Sequence, residues 1–103
     1  MVTKQLQAAN EIGELRTIAE LQWRHRARVR GRVRSLRIQP WAGTPTLEAV
    51  LDDNTGGVRV VFLGRRSIAG VELGRIVEVE GMVGARDGHF AILNPRYWLR
   101  ASF

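Results

Sequence analysis

Six arginines occupy every second position of one stretch: Arg24, Arg26, Arg28, Arg30, Arg32 and Arg34, separated by His25, Ala27, Val29, Gly31 and Val33. Successive side chains of a β-strand point to opposite faces. A run of this period reads as one long strand, with an arginine row outside and a mostly apolar row inside. At about 3.3 Å per residue the row spans roughly 33 Å, long enough to follow several phosphates of a polyanionic backbone.

The apolar row changes phase near Ser35, from Ala27, Val29 and Val33 to Leu36 and Ile38, which implies a bulge or sharp bend inside the strand. Two prolines and a glycine make 39–45 a loop. Thr46–Leu51 is a second strand, and Asp52-Asp53-Asn54-Thr55-Gly56-Gly57 has the composition of a hairpin turn rather than of a cation site. Val58–Leu63 follows, with Val58, Val60 and Phe62 inward. The stretch 64–74 breaks the β pattern and is expected to hold a short helix. Arg75–Val83, a turn at Arg86-Asp87-Gly88, and His89–Leu93 complete a β, β, β, helix, β, β order. The expected fold is all-β: a five-stranded Greek-key barrel, with the short helix between its third and fourth strands. A single domain over 23–100 is expected, preceded by an N-terminal extension over 1–22. The extension is read as loosely structured or short-helical, with Thr17 and Glu20 forming a capping box around a turn at Ile18–Leu21.

The chain has 103 residues, a formal charge of +6 and a pI near 11.4. Such a balance points to a nucleic-acid partner, although fifteen arginines against one lysine also fit a coding bias. There is no cysteine, which excludes disulfides and thiolate metal sites. His25 and His89 have no companions at metal-ligand spacing, and no nucleophile motif surrounds the serines. No catalytic residue, metal or cofactor is expected. With no long apolar run and no signal-like N-terminus, a soluble cytoplasmic protein is expected.

Several motifs carry a resemblance: Val29-Arg30-Gly31-Arg32-Val33, Leu51 through Val58, Phe62, Gly74 through Val83, and Asn94-Pro95-Arg96-Tyr97. Together they resemble OB-fold nucleic-acid-binding domains, above all the wedge domain of branch-migrating DNA helicases. The first half is also similar to the anticodon-binding domains of some tRNA synthetases. The resemblance covers about Leu21–Leu99. It implies a non-catalytic module that binds single-stranded or junction DNA, with RNA as the close alternative. The helicase phosphate loop cannot be formed here, because the sole lysine is Lys4.

OB-fold domains bind strands across their second and third strands, between the loops that follow strands one and four. By position this nominates Arg34, Arg37, Trp41, Arg59, Arg86 and His89, and the arginine row adds Arg30 and Arg32. The arginines would neutralise phosphates, and Trp41 would stack a base or else pack on the barrel end. Glu48, Glu78 and Glu80 are expected on the outer faces, where they would pair with part of the arginine row. Phe62 and Phe90 are assigned to the core. A different class remains open: a protein-interaction module using an apolar outer patch around Val61, Leu63 and Met82.

Overall fold

The computed structural model describes residues 13–103. The loose helix expected over the first dozen residues lies outside them. Seven strands form one sheet: β1 (Leu15–Arg16), β2 (Arg26–Ile38), β3 (Thr46–Asp52), β4 (Gly57–Leu63), β5 (Ile76–Arg86), β6 (His89–Leu93) and β7 (Arg96–Arg100). β2 pairs with β3, β3 with β4, β4 with β6, β6 with β5, and β5 returns to β2. All these pairings are antiparallel except the parallel β4–β6 pair.

The period of two along β2 is real. Val29 and Val33 point into the core, Gly31 lies between them, and Arg28, Arg30 and Arg32 point out. The expected phase change is present as a register shift between Val33 and Ser35. That shift lets one strand serve two partners: residues 26–32 pair with β5 and residues 32–38 with β3. Gly31 and Gly81 sit where backbones and side chains approach closely. A Cβ at Gly31 would lie 2.9 Å from Leu51 Cβ, and one at Gly81 2.7 Å from Ile92 Cγ2. Leu47, Ala49 and Leu51 of β3, Val58, Val60 and Phe62 of β4, and Val77, Val79 and Val83 of β5 fill the interior.

No helix forms between β4 and β5. Gly64, Gly70 and Gly74 have φ of +72°, +80° and +83°. A right-handed helix requires negative φ, so the glycines leave only short pieces of chain, too short to repay helix nucleation. The segment is a series of turns that still delivers Ile68 and Val71 into the core.

Residues 13–22 join the same structure. β1 runs parallel to β2, a short 3₁₀ turn covers Ile18–Glu20, and Ile18 and Leu21 are buried in the core. The Glu20 carboxylate accepts from the Thr17 backbone N–H at 2.8 Å and from the Thr17 hydroxyl at 3.0 Å. The 52–57 turn then holds this segment from the other side. Asp53 Oδ2 accepts from Ile18 N–H at 2.9 Å, and Thr55 Oγ1 accepts from Ala19 N–H at 3.0 Å.

Candidate nucleic-acid interface

The nominated residues separate into two groups. The first gathers around β3 and β4. Outward-pointing neighbours form two rows across this part of the sheet: Arg37, Glu48, Val61 and Leu93, and Ser35, Val50, Arg59 and Ala91. The 39–45 loop folds into a tight turn in which Trp41 and Thr44 exchange backbone hydrogen bonds of 2.9 and 2.8 Å. Ala42 and Gly43 adopt φ of +48° and +80° at its tip. The hairpin joining β5 and β6 is similarly tight, with positive φ at Asp87 and Gly88. These two tips meet, because the Arg86 guanidinium carbon sits 3.6 Å from the centroid of the Trp41 ring. Asp87 steers the cluster, with its Oδ2 3.7 Å from both Arg86 Nε and Arg59 Nη1. His89 is paired opposite Arg86 at the base of the hairpin.

A shallow groove runs beside this clamp, lined by Val50, Gly57, Val58, Arg59, His89 and Phe90. Phe90, expected in the core, is 37% exposed. β4 pairs with β6 only at residues 91–93, so Phe90 emerges past the last paired position. Its alternation with the buried Ile92 hid this in the sequence. Glu48, expected on an outer face in a pair with an arginine, is so paired but only 1% exposed. Arg37 donates to its Oε1 from Nη2 at 3.1 Å, while Glu48 Oε2 and Trp41 Nε1 are buried without a partner among the described residues. Val61, part of the apolar patch considered for a protein partner, is fully buried and unavailable to one.

The second group lies on the outer face of β2, β5 and β7. Arg30 is opposite Glu78, which is opposite Trp98; Arg28 is opposite Glu80, which is opposite Arg96. Glu78 and Glu80 lie on this outer face and pair with arginines, as expected, but each is only 2% exposed. Glu78 receives Arg30 at 2.7 Å and Arg100 at 3.0 Å, and also pairs with Arg28. Glu80 receives Arg96 at 2.7 Å. Burial would raise the Glu78 pKa, but hydrogen bonds from Arg100, Arg30 and Arg28, with the charge of Arg28, bring it down to about 2. Arg30 and Arg32 belong to this face and not to the groove. Arg34 lies at the bulge, exposed, 3.8 Å from Asp52.

No protein-family model matches the chain, and no curated protein matches it. Solved structures do. The second OB-fold domain of replication protein A from Methanococcus maripaludis superposes with a TM-score of 0.68 at 18% identity, over 87% of this chain and 98% of that one. The OB domain of Ta0387 from Thermoplasma acidophilum gives a TM-score of 0.69 at 13% identity, over 86% and 89% of the two chains. The fold is an OB-fold. The replication factor A related protein from Methanobacterium thermoautotrophicum shares it as well, with a TM-score of 0.61 at 18% identity over 85% of this chain and 92% of that one. Within this OB-fold, the Trp41–Arg86 stack joins the loop between β2 and β3 to the hairpin between β5 and β6.

Proposed function

We propose that this OB-fold is a non-catalytic nucleic-acid-binding module that takes a single strand across β3 and β4. The observation that supports it most is the Trp41–Arg86 stack, which places a ring and a cation together where the two flanking loops meet. A guanidinium over an indole occupies the place a base would take. When a strand arrives, Arg86 moves to a phosphate and a base replaces it on Trp41. Arg37, Arg59 and His89 lie where the backbone would pass, and the half-open Phe90 offers a second ring. DNA is the first choice of ligand, because two of the similar structures are named as replication protein A or a replication factor A relative. A preference for junctions rests on the resemblance of the strand and turn motifs to helicase wedge domains.

Fluorescence anisotropy with labelled oligothymidine, the matching RNA and a forked duplex tests this reading. A stacked base is worth about 1–3 kcal/mol, so Trp41→Ala should weaken oligothymidine binding by roughly tenfold or more with the fold intact. Unchanged affinity in that variant removes Trp41 from the site.

A further inference from the structure

The β2–β5–β7 face is not part of the groove and has a different chemistry. Six arginines, Arg26, Arg28, Arg30, Arg32, Arg96 and Arg100, surround two glutamates, a surplus of four positive charges. The glutamates are buried beneath them and hold Arg28, Arg30, Arg96 and Arg100 in place. Long side chains give up rotamer entropy when a ligand fixes them; these four have given it up already. Arg26, Arg32 and Arg96 remain exposed at the margins. Arg28, tied to the buried Glu78, lies 4.3 Å from the Trp98 centroid and stays on that ring, unlike Arg86, whose acid partner Asp87 is exposed; the open ring at this face is Phe103 at its margin, 5.8 Å from Arg32. A single strand would therefore be ordered here with one marginal ring for all its bases, whereas a duplex presents phosphates in a fixed array with its bases already stacked. The row from Arg26 to Arg32 extends about 20 Å along β2, and each strand of B-DNA has a phosphate per roughly 3.4 Å of axis.

We infer that the β2–β5–β7 face is a second nucleic-acid site, which holds the phosphate backbone of a duplex without regard to sequence. This rests on the reading of the partner as nucleic acid, but on different residues. The test is anisotropy of the full chain with a blunt duplex of about 20 base pairs, and separately with oligothymidine, across roughly 50 to 200 mM salt. Arg26→Ala with Arg32→Ala spares both buried glutamates: Arg32 donates to the Gly74 carbonyl at 3.0 Å instead. In that variant the log–log salt slope for duplex should become shallower by about 2, with oligothymidine binding and melting temperature unchanged. Arg26→Lys with Arg32→Lys, which keeps both charges, should restore duplex binding. Trp41→Ala should do the reverse of the alanine pair, weakening oligothymidine and sparing duplex. Absence of duplex binding at the lowest salt overturns the second site, as does an unchanged slope in the alanine pair, or parallel loss of both ligands in both variants. Failure of the groove reading looks different: oligothymidine binding that ignores Trp41→Ala, whatever the duplex does.

Discussion

Glu78 is the residue on which most charged side chains of one face converge, and its position has a cost and a pH signature. Its pKa in the fold, about 2, lies below its ordinary 4.5, so the ionised form stabilises the fold above about pH 4.5. That stabilisation, on the order of 3 kcal/mol, is lost as pH falls through 4.5 toward 2. Thermal melts across this range should show a falling melting temperature in the parent protein. Glu78→Gln should start from a lower melting temperature at neutral pH, because Arg28, Arg30 and Arg100 then crowd without a counter-charge, and should have a flatter acid limb. Identical acid limbs would assign the acid loss to other carboxylates. The pairing of the arginine row with Glu78 and Glu80 was legible from alternation on adjacent strands. Their burial was not, because it results from Arg96, Trp98 and Arg100 arriving on β7 from the far end of the chain.

At the scale of the element, the 52–57 turn does more than reverse the chain. Its Asp53 pKa would be raised by burial, but hydrogen bonds from the Thr55 hydroxyl and from the Ile18, Thr55 and Gly56 backbone lower it. The turn thus works as an external cap for the 3₁₀ segment, and Asp53→Ala should cost about 1–2 kcal/mol, the range of a lost helix cap, in urea unfolding. Amide exchange at Ile18 should speed up more than exchange at core strands; uniform acceleration would show that the two elements unfold only together. Gly31→Ala, which would place a Cβ 2.9 Å from Leu51 Cβ, should cost about 1–3 kcal/mol by overpacking, read in the same assay. Strands and the bulge were legible because period two and its phase change are local signals. The docking of Ile18 on a turn thirty-five residues later leaves no local signal, and the three positive-φ glycines that prevent a helix after β4 look in sequence like ordinary breaks around one.

At the scale of the whole molecule, β2 organises everything else, since it pairs with β1, β3 and β5. Long-range pairing of this kind folds slowly, in the range of milliseconds to seconds, and stopped-flow refolding should fall there; microsecond refolding would mean that β2 and β3 alone dictate the rate. The order in which the chain is made adds a second delay. Arg28 and its partner Glu78 are fifty residues apart, which a ribosome adding roughly 5–20 residues per second covers in several seconds. Throughout that interval the new chain displays its arginine row with no acid from β5 to answer it, in the company of ribosomal RNA. The first polyanion this row meets is the one that makes it, and β5 must compete for the arginines on arrival.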